Sequence, residues 1–334
     1  MTQTVSIIIP VHNGGESFGK CLRSLAAARP PADEIIVVAD GESDGSWRLA
    51  RDFSAVIIEI PVVSGPGRAR NLGGAKARGD IILFIDADVT VPPDIVARVR
   101  DYFDNHPAVS AVMGSYDDAP AEPNFLSQYK NLFHHYTHQT GKRNASTFWT
   151  GCGAIRAGVF REMHGFAEER CRPSGGGCPG TIEDVELGYR LREAGHEIHL
   201  LRELQVKHLK HWDYRSLLKT DFFYRALPWT ELLLTRGRMV DDLNIARRSR
   251  LSVILVFALL LTVLALLFGA PAGTALVVLM IGLLATNWRC YRFFQRKRGL
   301  AFTLLVIPWH WLYFFYSGIA FLYGSILFRL GKGK

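Results

Sequence analysis

The sequence predicts an α/β domain, a mostly parallel sheet flanked by helices, followed by interfacial helices and C-terminal transmembrane helices. Three observations carry that prediction. From Val5 to Phe103, apolar runs rich in Ile and Val alternate with helix-like stretches, the pattern of parallel strands joined by crossover helices. Those runs lead into acidic or Gly-rich turns, and in such sheets ligands bind beyond the carboxyl ends of the strands. From Arg247 onward the chain turns into long uncharged stretches separated by basic ones.

The elements follow in order. "VSIIIPVHNGGESFGKCLRSLAAA" reads as a buried strand, a turn over Pro10 to Gly15, and a helix with Phe18, Cys21, Leu22 and Leu25 on one face. "DEIIVVADGESDGSW" repeats the plan, with a helix from about Ser46. "AVIIEIP" is a third strand, "GRARNLGGAKARG" a loop and helix, and "DIILFIDADV" a fourth strand. "PPDIVARVRDYF" follows as a helix with Pro near its first turn, where a missing N–H costs nothing. Asn13, Asp40, Asp44, Asp86 and Asp88 all fall at the carboxyl ends of these strands. Beyond about Ala108 the alternation fades. "FWTGCGAIRAGVF", with Gly151, offers small residues that let a backbone approach a ligand. "TIEDVELGYRLREAG" is a helix opened by an acidic turn and stopped by Gly195, and "HEIHLLRELQVKHLKHW" gives one or two short strands with a His-rich exit.

Charge and hydropathy divide the 334 residues into 1–213, 214–246 and 247–334. The net charge of +8 invites a nucleic-acid reading, but its location excludes one. Eleven of the 39 Lys and Arg lie from Arg247 onward, where no Asp or Glu occurs, leaving 28 basic residues against all 31 acidic ones. The basicity belongs to a membrane region. "LSVILVFALLLTVLALLFGA" is long enough to span a bilayer, "GTALVVLMIGLLATNW" is a shorter second span, and Leu300 to Phe328 is a third stretch that either spans or begins in the interface. Arg247, Arg248, Arg250 and the loop "RCYRFFQRKR" belong on the cytoplasmic side. "RSLLKTDFFYRALPWTELLL" reads as amphipathic helices in the membrane interface. The N-terminus has no signal-peptide pattern, so the large soluble part is expected in the cytosol, anchored to the cytoplasmic membrane. Five cysteines without a C-x-x-C pair fit a reducing compartment, and Cys171 and Cys178 read as incidental thiols in a loop.

Asp86 and Asp88, one residue apart at a strand end, project to the same side if the strand continues through them. Oxygen ligands so placed suit Mg²⁺ or Mn²⁺, which combine one or two carboxylates with phosphate oxygens. Glu183-Asp184 opens a helix, where the dipole keeps a carboxylate ionised, as a general base requires; the same acids also serve as an ordinary capping turn. "GPGRARNLGG" lacks the G-x-G-x-x-G spacing and does not open the first βα unit, which excludes a Rossmann dehydrogenase. Arg68 and Arg70 within it suit phosphate, because guanidinium forms paired hydrogen bonds to it.

Taken in order, "VSIIIPVHNGG", "VVADGESDGS", "GPGRARNLGGAKARGDIILFIDADV", "FWTGCGAIRAGVF" and "EDVELGYRLREAG" resemble the family 2 glycosyltransferases with the GT-A fold, over roughly residues 4 to 212. The resemblance implies a nucleotide-sugar donor met by Pro10, His12, Asn13, Asp40, Arg68, Arg70, Asp86 and Gly151. It implies a divalent cation, Mn²⁺ or Mg²⁺, held by Asp88, and a catalytic base at Asp184. His208 stands where some inverting relatives place a further metal ligand. Ala39 replaces an Asp of the family pattern, which removes one expected donor contact. "HLKHW" stands in place of the Q-x-x-R-W of processive polymer synthases, so a single transfer to a lipid-linked or membrane-near acceptor is expected. Two alternatives remain at this level: a polyprenyl-phosphate glycosyltransferase, and a catalytically silent scaffold subunit of an envelope-assembly complex.

Overall fold

The computed structural model describes residues 2–168, 182–237, 243–269 and 271–331. Cys171 and Cys178 lie outside them. The chain divides into two compact units, Met1–Trp212 and Asp213–Lys334.

The first unit is built on the Ile- and Val-rich runs. Strands β1 (Val5–Val11), β2 (Glu34–Asp40), β3 (Val56–Ile60) and β4 (Ile81–Ile85) lie in the order β3-β2-β1-β4, all parallel. Every residue of β4 is buried, as a central strand covered on both faces demands. Helix α1 (Gly15–Ala26) links β1 to β2 and buries Phe18, Cys21, Leu22 and Leu25. The second link is not an α-helix but a 3₁₀ segment, Ser46–Phe53, held between two residues in left-handed backbone, Gly45 and Ser54. Helix α2 (Pro66–Lys76) precedes β4, and β5 (Val89–Thr90) follows it at once. Helix α3 (Ile95–Asn105) leads on to β6 (Val109–Tyr116).

Where the alternation fades, the sheet becomes mixed. After α4 (Phe125–Thr140), β7 (Cys152–Arg156) inserts antiparallel between β4 and β6. Helices α5 (Ala157–Glu162) and α6 (Glu183–Glu193) precede β8 (Glu197–His208), a single strand of 12 residues that runs parallel to β6. Its last residue pairs antiparallel with β5, Val89 facing His208. The full order is β3-β2-β1-β4-β7-β6-β8-β5. This register matters more than any single element. It draws the end of β8 to the turn that follows β4.

In the second unit, Asp213 caps α7 (Tyr214–Lys219), accepting hydrogen bonds from the N–H groups of Arg215 and Ser216. A π-type segment, Thr220–Ala226, continues into α8 (Leu227–Arg236). Helices α9 (Arg247–Leu267) and α10 (Gly273–Arg329) are long and apolar enough to cross a membrane. Gly299, in left-handed backbone at φ 83°, bends α10 into two segments. The second segment is helical throughout, with Pro308 inside it. The π-type segment is tied to it, Tyr316 donating to buried Asp221 at 2.9 Å.

Phe84 fixes how β4 seats beneath the site. It is fully buried, with Phe148, Phe160 and Phe166 around its ring at centroid distances of 6.3, 5.4 and 5.2 Å. Phe84→Ala is expected to cost about 3–5 kcal/mol, the range for deleting a buried aromatic ring. Urea unfolding followed by tryptophan fluorescence measures it, and a loss under about 1 kcal/mol would show that the aromatic cluster does not hold this strand.

Candidate active site

Strand β4 ends at Ile85, and residues 86–88 form a turn. The alternation of a strand therefore does not aim Asp86 and Asp88. Each carboxylate has its own basic side chain beside it instead. Arg70 Nη2 donates to Asp86 Oδ1 at 2.8 Å. His208 Nε2 lies 3.4 Å from Asp88 Oδ2, brought there by the β5–β8 pairing.

Arg70 is the less expected of the two. It projects from α2, is only 5 % exposed, and its other arm donates from Nη1 to Glu183 Oε1 at 2.9 Å. A buried guanidinium between two carboxylates departs from the expected phosphate contact. Its charge is spent inside the protein, tying the turn after β4 to the start of α6. Burial opposes that charge, but Asp86 and Glu183 more than offset it and raise the Arg70 pKa. The Glu183-Asp184 pair is thereby split. Glu183 faces inward to Arg70, while Asp184 is half-buried, its Oδ2 3.4 Å from the Thr150 N–H. Thr150 precedes Gly151, and Cys152 then pairs with Ile85, so this loop lies across from Asp86. A Cβ on Gly151 would come within 2.3 Å of the Trp149 ring, which explains why a glycine stands there.

His208 is buried and held from three sides. Its Nδ1 and Asn131 Oδ1 are 2.7 Å apart, and its ring stacks on Tyr116 at 4.3 Å. With that Oδ1 as acceptor, Nδ1 is the donor, and Nε2 is the ring nitrogen that faces Asp88. An imidazole nitrogen and a carboxylate oxygen at that separation are two groups on which a divalent cation can draw. Burial pushes the Asp88 carboxyl up, but His208 and Lys210 outweigh it and hold it below the usual range. Asp88 and His208 therefore suit a divalent cation. Among the described residues no three His, Cys, Asp or Glu side chains gather into a metal site, so further ligands would have to come from the donor's phosphates.

On the other side, the loops after β1 and β2 are laced together. Asn13, at φ 50°, accepts on its side chain from the Ser43 and Asp44 N–H groups, and its own N–H donates to Glu42 at 2.8 Å. His12 Nδ1 donates to the Asp40 carbonyl at 2.7 Å. Asp40 is 4 % exposed, and its carboxylate accepts from Ser64 N–H, Ser64 Oγ and Gly65 N–H at 2.7 to 2.9 Å. Asp40 thus shapes the loop that starts α2, where Arg68 is exposed. Pro10 is half-buried near the end of β1. Asn131, Tyr116 and Glu42 escaped the sequence reading. Asn131 and Tyr116 carry no local motif and acquire a role only through packing against His208.

Residues 6–163 match the model of glycosyl transferase family 2. That stretch, within the first unit, carries the domain of that family. This glycosyltransferase is 24 % identical over 246 residues to the O-antigen chain rhamnosyltransferase RfbN of Salmonella typhimurium, covering 68 % of this chain and 74 % of that one. It is 36 % identical over 98 residues to glycosyltransferase AglE of Haloferax volcanii, a match spanning only 32 % of the relative. Among solved structures, the mannosyltransferase PcManGT of Pyrobaculum calidifontis, in complex with GDP-Man and Mn²⁺, superposes with a TM-score of 0.56 at 14 % identity. The superposition covers 98 % of this chain and 87 % of that one, and it supports the GT-A fold for this glycosyltransferase.

Glu42 gives the donor-side loops a pH dependence. Burial, then the neighbouring Asp44 carboxylate, pushes its pKa from 4.5 up to about 7. The stability tied to the protonated form is complete below pH 4.5 and is lost as pH rises through about 7. Glu42→Gln, which cannot ionise, should therefore gain thermal stability relative to wild type between pH 5 and pH 8 (about neutrality on either side). Melting curves that stay parallel across that range would show that Glu42 is not held protonated.

Proposed function

We propose that this glycosyltransferase is metal-dependent and inverting, and that it moves a sugar from a nucleotide-sugar donor to a lipid-linked or membrane-near acceptor. The observation that carries this reading is the placement of Asp88 beside His208 Nε2 at 3.4 Å, on the same turn whose Asp86 is tied through Arg70 to the Glu183-Asp184 helix. Support also comes from the structural neighbour solved with GDP-Man and Mn²⁺, and from a relative named for the O-antigen chain.

Asp88 and His208 would hold the divalent cation, whose positive charge would stabilise the departing diphosphate. The protein's own groups supply the rest. Arg68, exposed in the first turn of α2, can meet a phosphate, and the N-terminal end of that helix adds a favourable dipole. Asp184 accepts the proton of the acceptor hydroxyl as its oxygen bonds to the anomeric carbon from the face opposite the leaving group. The bond from that carbon to the phosphate oxygen breaks, and its electron pair leaves with the nucleoside diphosphate. The catalytic unit lies on the cytoplasmic side in this reading, because the basic stretches flanking the apolar helices belong there.

Two substitutions separate the roles. Asp184→Asn should keep donor and Mn²⁺ binding while turnover falls by about 10² to 10⁴, the usual contribution of a general base. Loss of donor affinity with turnover preserved would assign Asp184 to binding, and unchanged turnover would favour an acceptor that is already an anionic phosphate. His208→Ala should raise the Mn²⁺ concentration for half-maximal activity about tenfold or more, with equal metal dependence in both proteins removing His208 from the metal site.

A further inference from the structure

The second unit carries a basic surface that glycosyl transfer does not use. Helices α9 and the first segment of α10 run antiparallel. Their register is set inside the pair. Asn287 Nδ2 donates to Ser252 Oγ at 3.0 Å, and Gly282 lies against Leu255. Counting along both helices from those contacts places Arg250 level with Arg289 and Arg247 level with Arg292. The two basic stretches, 39 residues or so apart in sequence, are thus one surface at one end of the hairpin (roughly two helical turns deep).

That surface is dense. Arg247, Arg248, Arg289, Arg292, Arg296, Lys297 and Arg298 are exposed, and Arg250 is partly so. The sequence from Arg247 to the end holds no Asp or Glu. Arg289, Arg292 and Arg296 are spaced three and four apart and so share one helix face, and they make no ion pair among the described residues. Trp288, 57 % exposed, stands beside them, a residue suited to the headgroup level of a bilayer. Three cations also occupy the first turn of α9, where the helix dipole adds to their charge rather than offsetting it.

We infer that this end of the hairpin binds the phosphates of anionic phospholipids in the adjoining leaflet. Clusters of Lys and Arg next to apolar spans attract acidic lipids by charge, and guanidinium matches phosphate in shape. The side chains are spread over an exposed surface instead of converging on a cavity, which fits several headgroups better than one deep ligand. The inference rests on α9 and α10 crossing a membrane. It does not depend on the transfer chemistry.

The test uses the full chain in detergent micelles containing equal amounts of phosphatidylglycerol and phosphatidylcholine with the same acyl chains. Native mass spectrometry counts the lipids retained. Wild type should retain phosphatidylglycerol over phosphatidylcholine by about tenfold or more, and 1 M salt during equilibration should remove the preference, because charge is then screened within about 3 Å. The Arg289→Gln, Arg292→Gln, Arg296→Gln triple variant should approach parity with an unchanged melting temperature, while the matching Arg→Lys triple keeps the preference. Equal retention by wild type, or a preference that survives in the Gln triple, would overturn the inference. So would displacement of phosphatidylglycerol by a trace of long-chain polyprenyl phosphate, which would make the surface an acceptor site, or by millimolar inorganic phosphate. Carbonate extraction of membranes separates the premises: release of the chain would remove the spanning reading, whereas an integral chain without lipid preference would sink this inference alone.

Discussion

The buried guanidinium of Arg70 is the contact on which the site depends. From α2 it joins Asp86, 16 residues on at the end of β4, to Glu183, 113 residues on at the start of α6, with both bonds under 3 Å. Removing a charge from water costs several kcal/mol, and here two carboxylates offset it. A site made from the ends of separate elements has no continuous backbone to hold it. This cation replaces that continuity.

Two geometric consequences follow. With Asp86 turned to Arg70, Asp88 is the carboxylate of the pair that faces His208. With Glu183 turned to the same cation, Asp184 is the one beside the Thr150 loop. Each acidic pair therefore spends one member on the scaffold and presents the other to the site. Asp40 follows the same economy on the donor side, where a buried carboxylate organises Ser64 and Gly65 ahead of the exposed Arg68.

Much of this was legible in the sequence, and the limits have physical causes. The strands β1, β2 and β4 announce themselves through Ile and Val runs buried on both faces, and the acidic turns locate the site at their carboxyl ends. The link after β2 reads as a helix but is a 3₁₀ segment, bounded by Gly45 and Ser54 in left-handed backbone. Period-two reasoning for Asp86 and Asp88 fails because the strand stops at Ile85. Arg70 looks like a phosphate ligand in sequence because guanidinium chemistry is the same inside or outside a protein. Only burial distinguishes the two. His208 was visible by its position, whereas Asn131, which sets its ring, sits on a helix with no motif and becomes relevant only when β8 pairs with β5.

The most direct test of this account is the behaviour of Arg70→Gln in nucleotide-sugar hydrolysis, measured as a Mn²⁺ titration with UDP- and GDP-sugars beside a melting curve. With the cation gone, Asp86 and Glu183 repel or take up protons, and the turn after β4 loses its tie to α6. The account expects a destabilised but folded protein in which the half-saturating Mn²⁺ concentration rises and turnover falls, each by about tenfold or more. Wild-type metal dependence and turnover in a folded Arg70→Gln protein would contradict it.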